Sequence, residues 1–389
     1  MSDDPVQTGP RGGQFIETPS GTKRYVGKEG AAAAKQVGEQ VEKLLKGTLA
    51  KLAATGWKGG EKGAPTVRTQ KAKLKTAHED DVGRIAKLPK GEQRAAFKEL
   101  AETTQADIEA GKLKPEGGKA QEWLEGDENK DAWKVADKDT SWAKYYSADS
   151  KPGDPKAVPT DPARKLMQEE AKKVFVGKNS VAKPGEQKIA IIMMGGPGSG
   201  KTSSLPKDLD WSKFAKADAD GLKGHLPEFR DGVKAKSMRS AGIAHEESSA
   251  MSKQVVAQAI EENRHLVMDG TGATLKSYDD AIKKLKDAGY HVQLNFVHLP
   301  YEKAEPRMFS RAEGVGRFVP LDDAKQKHRD VPSNFEHFAK QVDRAIMYDN
   351  DVPMGEPMRR IAEYGGGKVD KMHHDDFYAD FKKKYPQKD

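Results

Sequence analysis

One short stretch limits what this chain can fold into more than any other: Ile189-Ala-Ile-Ile-Met-Met-Gly195-Gly196-Pro197-Gly198-Ser199-Gly200-Lys201-Thr202. Its apolar run is the pattern of a strand buried on both faces, and it enters a Gly-x4-Gly-Lys-Thr loop. A polyanionic phosphate chain has to be wrapped by backbone N–H groups, and side chains at the glycine positions would stand in its way. Gly195, Gly198 and Gly200 allow both the close approach and positive φ. Lys201 brings a point charge to the β- and γ-phosphates, and the Thr202 hydroxyl can ligate Mg²⁺. A helix starting after the loop would add partial positive charge at its N-terminus. Gly196, Pro197, Ser199 and Ser203 complete the expected nucleotide contacts. The loop alone leaves a motor, a switch and a small-molecule kinase open.

The segments that follow bear on that choice. Asp218-Ala-Asp220-Gly-Leu-Lys223 comes at the end of an apolar run, Phe214–Ala219. Read as a strand end, it puts Asp218 and Asp220 on one side of the pleat. One carboxylate could accept an acceptor hydroxyl's proton while the other fixes backbone or metal geometry. His265-Leu-Val-Met-Asp269-Gly270-Thr271-Gly272 is a second apolar run closing on an acid, and Asp269 is expected on Mg²⁺ through water. Past Pro300, Arg307 and Arg311 lie four apart on one helix face, and Arg317 follows in Gly316-Arg-Phe-Val-Pro320. Arginines placed there can neutralise charge on a transferring phosphate.

Taken in order, Gly-x-Pro-Gly-Ser-Gly-Lys-Thr-Ser, Asp-x-Asp-x-x-Lys, Asp-Gly-Thr-Gly-x-Thr, Arg-x3-Arg and Gly-Arg-x-Val-Pro, spread over about residues 165–350, resemble the zeta-toxin family of P-loop kinases. The resemblance implies a kinase that uses ATP or GTP with Mg²⁺ to phosphorylate the 3′-hydroxyl of UDP-N-acetylglucosamine, or a close UDP-sugar, and so disrupts cell-wall synthesis. It implies Asp220 as catalytic base, Lys201 and Thr202 as phosphate and metal groups, and Arg311 with Arg317 as the phosphate-stabilising pair. Asp218, Lys223, Asp269, Thr271 and Arg307 would face the acceptor, as would His245 and Glu246 from the helix start Ala244–Ser249. A small antitoxin protein is the partner it implies. Asp269 stands where the best-known members carry glutamate, Ala273 where some carry arginine, and Lys253 about where some carry an acceptor-binding acid.

Apolar runs at Lys188–Met194, Phe214–Ala219, His265–Asp269, His291–Leu299 and Arg344–Tyr348 alternate with helical stretches at Ala163–Val176, Glu246–Asn263 and Leu275–Ala288. The alternation predicts a three-layer α/β/α fold with a mainly parallel sheet. Four prolines in residues 151–162 read as a linker. The expected organisation is therefore a segment at 1–30 with a short hairpin, a helical accessory region at 31–150, the linker, and a P-loop domain at 163–389. Ala31–Ala54 and Asp80–Ala110 carry helical spacing, the latter broken near Pro89, and the aromatics of 118–148 suit a small core. Gly-Gly-x-Phe and Ser-Gly-x-Lys-x-Tyr-Val, within residues 12–26, resemble a terminal motif of phage head-morphogenesis and mobile-element proteins. That resemblance implies an assembly partner for the N-terminal region.

Composition trims the alternatives. With no cysteine among 389 residues, thiolate metal sites, disulfides and cysteine nucleophiles are excluded. The net charge of +7 divides almost evenly between residues 1–160 and the remainder, with signs interspersed, so no dedicated nucleic-acid site is expected. No apolar run approaches bilayer length, and the start is polar, so a cytoplasmic or virion-associated protein without a membrane partner is expected. His373-His-Asp-Asp376 and Lys382–Lys384 read as a solvated tail. A kinase of another small-molecule or nucleic-acid hydroxyl, and an assembly protein with an idle nucleotide site, remain as competing functions.

Overall fold

The computed structural model describes residues 79–114, 135, 137–205, 210–235, 237, 239–353 and 356–388, together with the backbone of three short N-terminal strands. The expectations for Ala31–Ala54, the Gly56–Pro65 break, Trp123 and Trp133 lie outside the described residues. Contacts divide the chain into two compact units, residues 1–66 and 67–389. In the first, β1 (Gln7–Thr8), β2 (Gln14–Glu17) and β3 (Lys23–Val26) form an antiparallel sheet in that order. Phe15 pairs with Tyr25, which gives the hairpin expected there.

The second unit begins with α1 (Glu79–Ala86) and α2 (Lys90–Glu109), separated at Pro89 as expected. After α3 (Ser141–Tyr145) comes α4 (Pro162–Val176). The ends of α4 are written locally: Asp161 caps it by accepting from the Ala163 amide at 2.8 Å, Pro162 presets its first turn, and Gly177 ends it at φ 70°. The strand and helix series is then β4 (Ile189–Met194), β5 (Ala215–Ala217), α5 (Ala219–Lys223), α6 (Pro227–Lys234), α7 (Ser240–Ile243), α8 (His245–Glu261), β6 (Leu266–Met268), α9 (Leu275–Asp287) and β7 (His291–His298). It continues with α10 (Tyr301–Val315), α11 (Leu321–Asp330), α12 (Phe335–Ala339), β8 (Arg344–Asp349), β9 (Arg359–Gly365), β10 (Lys368–Met372) and α13 (Asp375–Lys384).

Seven strands make one sheet in the order β10-β9-β8-β7-β4-β6-β5, parallel from β8 to β5 and antiparallel at β9 and β10. This is the mainly parallel α/β fold expected. β4 lies between β6 and β7, its Ile191 level with Val267 on one side and Gln293 on the other. The strand order reverses there, which opens a crevice at the carboxyl end of β4. The main core lies on the face of Ala190, Ile192 and Met194, where Met251 and Val255 of α8 pack with Phe296, Phe335 and Phe381. A smaller cluster of Ile191, Met193, Phe214 and Val267 occupies the other face.

Three features depart from the sequence expectation. Lys201–Ser204 is one 3-10 turn, not the start of a longer helix. Leu205 precedes Pro206 and adopts φ −80°, ψ 140°, because the proline ring disfavours helical backbone in the residue before it. The C-terminal stretch is not a solvated tail. Gly366 and Gly367, both at positive φ, turn β9 into β10, and α13 buries Tyr378 and Phe381 against the sheet. Lys382 pairs with Glu336 at 3.1 Å, and His373 meets Glu363 at 3.1 Å.

The proline-rich stretch read as a linker lies along α8. Lys253 donates to the Gly153 carbonyl at 2.8 Å, and Gln254 donates to Pro155 and Ala157. The described aromatics of that region form a small core: Trp142 stacks on Tyr146 with centroids 3.8 Å apart, both buried. Beside them Arg164, 1% exposed, is paired with Glu247 at 2.7 Å and Glu228 at 2.8 Å and lies over the Tyr145 ring. Gln168 bonds to both Glu247 and Tyr146. Two desolvated ions survive here because nearly all their polar atoms have partners.

Candidate active site

The glycine-rich loop is shaped by approaches that admit no side chain. Gly195, Gly198 and Gly200 have φ of 148°, 72° and 85°. A Cβ on Gly198 would lie 2.8 Å from the Ala304 carbonyl oxygen, and one on Gly200 would lie 2.4 Å from Asn350 Nδ2. The loop is also gripped from outside. The Gly195 amide donates to Thr271 O at 3.0 Å, Asn350 Nδ2 donates to Ser199 O at 2.7 Å, and His328 Nε2 lies 2.8 Å from Pro197 O. Lys201 folds back over the loop, its ammonium donating to Gly195 O at 3.2 Å and Gly196 O at 3.4 Å. Burial pushes its pKa down, and Asp269 opposes that shift. Thr202 and Ser203 sit at the exposed end.

On the acceptor side the structure corrects the placement of the two aspartates. β5 ends at Ala217, so Asp218 and Asp220 do not share a strand pleat. Asp218 is the N-cap of α5, its Oδ1 accepting from the Gly221 amide at 2.9 Å, and Asp220 belongs to the helix's first turn. Their separation is the same in sequence, but only Asp220 opens onto the cleft. Its carboxylate meets buried Lys223 at 3.1 Å, while Asp218 faces Arg317 at 3.8 Å. Burial would raise the Asp220 carboxyl, yet Lys223, Arg317 and Arg311 outweigh it and hold it below the usual carboxylate range.

Pro197, Gly198, Asp220, Lys223, Arg311 and Arg317 line one cleft, so the loop, α5, α10 and the Gly316–Pro320 segment converge. Phe229, Ala241, Met308, Phe318 and Val319 give it an apolar wall. His245 begins α8 close enough to Lys223 and Asp220 to interact with them; burial and then Lys223 push its pKa down to about 4. Two residues expected at the acceptor are occupied elsewhere. Arg307 donates to the Asn350 carbonyl at 3.2 Å, and Glu246 packs over Gly153. Lys253 is held by the proline-rich stretch, as described.

Asp269 follows β6, its amide donating to Ala217 O at 3.0 Å. Burial raises its carboxyl against the pull of Lys201, and its Oδ1 is buried without a hydrogen-bond partner among the described residues. An orphaned carboxylate oxygen facing the Lys201 charge suits a hydrated Mg²⁺ or an ordered water. Among the described residues no cluster of three or more His, Asp and Glu side chains forms a metal cage. Thr271 contributes its carbonyl to Gly195, and its Oγ1 accepts from the Ala273 amide at 3.4 Å.

Sequence spacing missed three residues: Asn350, His328 and Asn334. Asn334, fully buried, donates to Gly272 O at 2.8 Å and so fixes the Gly-Thr-Gly turn. Each acts on the backbone of a loop far away in the chain. Only Asn350, directly after the β8 strand end, had a position that could have drawn attention.

A parallel sheet with a phosphate loop at its reversal point and a basic cleft beside it defines a P-loop kinase-like α/β protein. Residues 172–353 match the family model of the Zeta toxin. No curated protein matches the chain. Among solved structures it is similar to a chain of the AvrRxo1-ORF1:AvrRxo1-ORF2 complex with sulphate ions, at 18% identity and TM-score 0.51, covering 64% of this chain and 83% of that one. The same complex solved with ATP gives the same figures. A chain from the PezAT chromosomal toxin-antitoxin system of Streptococcus pneumoniae aligns at 17% identity and TM-score 0.39, over 54% of this chain and 89% of its own. At 18% identity the first two establish a shared fold. No helix among the described residues is long and apolar enough to cross a membrane.

Proposed function

We propose that this chain is an ATP- and Mg²⁺-dependent phosphotransferase of the zeta-toxin kind, moving a γ-phosphate to the 3′-hydroxyl of UDP-N-acetylglucosamine or a close UDP-sugar. The observation that carries the reading is the convergence of Asp220, Lys223, Arg311 and Arg317 on Pro197 and Gly198 of the glycine loop. The loop and Lys201 hold the phosphate chain. Arg311 and Arg317 meet charge on the transferring group, and Asp220 orients the incoming hydroxyl.

With its pKa held low, Asp220 is a weak base in the resting site. A phosphate that engages Arg311 and Arg317 withdraws their charge from the carboxylate and makes it a better proton acceptor. Positioning of this sort carries most of the catalysis when the transferring group passes through a loose transition state. Thr202 and Asp269 would hold Mg²⁺, which neutralises phosphate charge when bound. By the same family likeness the activity is toxic and restrained by an antitoxin protein. The separate N-terminal unit, residues 1–66, is where an assembly partner would dock.

A mass-spectrometric screen tests this: labelled ATP, a panel of sugar nucleotides and other hydroxyl acceptors, and Lys201→Ala as control. Phosphorylated UDP-N-acetylglucosamine is the expected product. Nucleotide binding with no transfer to any sugar nucleotide would overturn the acceptor assignment.

A further inference from the structure

His328 of α11 is 6% exposed, and its two ring nitrogens face two backbone carbonyls. Nδ1 lies 2.9 Å from Leu299 O, after β7, and Nε2 lies 2.8 Å from Pro197 O, in the glycine loop. A carbonyl oxygen only accepts. A neutral imidazole has one N–H, so it can satisfy one of these contacts and must turn a lone pair toward the other oxygen. The imidazolium alone donates to both. The ring also packs over Gly196, where a Cβ would come within 2.5 Å of it.

The chain's own charges work against that proton. Burial lowers the proton affinity of His328 and the two carbonyls raise it, while Lys201 from the loop and His298 from β7 lower it further. Tyr301 of α10 presents its ring edge-on with centroids 5.8 Å apart, and Lys325, on the same helix as His328, lies over that ring. A bound polyphosphate reverses this balance, since it supplies negative charge and engages Lys201.

We propose that His328 is a positioning residue for the nucleotide, neutral in much of the empty protein and taking a proton from solvent onto its free ring nitrogen when the phosphate chain binds. The proposal rests on the nucleotide-binding part of the reading above and not on the identity of the acceptor. The consequence is local and electronic. The Pro197–Gly198 peptide is trans, so its N–H points opposite to the carbonyl that His328 grips. A cation on that carbonyl polarises the same peptide and strengthens the Gly198 N–H as a phosphate donor.

The test is calorimetric titration of the full chain with Mg²⁺ and a non-hydrolysable ATP analogue near pH 7, in buffers of different ionisation enthalpy, for wild type and His328→Gln. The expected result is a larger proton uptake per nucleotide in wild type than in the variant. The variant's affinity should fall about tenfold, the loss widening toward low pH. Equal proton uptake in both, with binding intact, would overturn the proposal alone. No binding of nucleotide by wild type would overturn the nucleotide reading and the proposal with it. Should His328→Gln fail to fold, ¹⁵N NMR of the wild-type histidine ring with nucleotide bound decides: protonation of both nitrogens supports the proposal, and a neutral tautomer overturns it.

Discussion

The two halves of the cleft are built from different material. The phosphate side is backbone: glycines at positive φ, carbonyls held by Asn350 and His328, and one lysine folded inward. The proposed acceptor side is charged side chains on helices and a loop, with Asp220 and Lys223 on α5, Arg311 on α10 and Arg317 beyond it. Backbone geometry recognises what all nucleotides share, so it can be written in one compact motif. Side-chain constellations recognise what differs between acceptors. They also depend on whatever supports them from behind, here the helices that precede the glycine loop. The His225 ring meets Gln105 at 3.1 Å, Arg230 donates to Thr104 at 2.7 Å, and Gly224 packs against Ile108.

The two sides can be broken separately. Asp220→Asn should lower the transfer rate by roughly 10²–10⁴-fold and leave nucleotide affinity nearly unchanged, measured by turnover and by titration on the same preparation. Removing support behind the acceptor side should act on folding instead. Glu247→Ala leaves Arg164 buried without its main partner and should cost about 3–5 kcal/mol in denaturant unfolding.

Gly198→Ala breaks the phosphate side by placing a Cβ against the Ala304 carbonyl at an unfavourable φ. It should weaken nucleotide binding by roughly 10–100-fold, with the acceptor's KM the lesser change. The last expectation concerns pH. Burial and then Arg230 hold the buried His225 ring neutral, with its pKa pushed down to about 3. The unfolded chain therefore binds a proton that the folded chain refuses between that value and the ordinary one. Stability from this site is complete above about pH 6.5 and falls as pH drops, by about 2 kcal/mol near pH 5. His225→Gln should flatten that part of the stability curve.

The same division explains what could be read in advance. The glycine loop and the parallel strands were legible because steric rules and buried apolar runs act locally. Asp218 and Asp220 stand out in the sequence without revealing their element, since an Asp-x-Asp pair after Phe-Ala-Lys-Ala serves equally as a strand end or as a helix cap and first turn. His328 and Asn334 left no trace in spacing, because the loop carbonyls they hold, of Pro197 and Gly272, are more than sixty residues earlier in the chain. The C-terminal hairpin and helix did leave signals, in Gly365-Gly366-Gly367 and in Phe377 and Phe381 at helical spacing. A run of neighbouring charges obscured them.

The single 3-10 turn after the glycine loop has a consequence for how occupancy can be seen. A long helix there would lock its amides into a ladder, so they would exchange with solvent slowly whether or not a ligand were present. In this chain the Ser203 amide closes onto Gly200 O at 2.9 Å, and Leu205 reaches Thr202 O at 3.4 Å, within a turn of four residues. The amides of Lys201 and Thr202 begin that turn, where helical backbone leaves its donors without acceptors of their own. Deuterium should enter them quickly in the empty protein and slowly once phosphate oxygens take those protons. The loop thus carries its own reporter of a bound nucleotide.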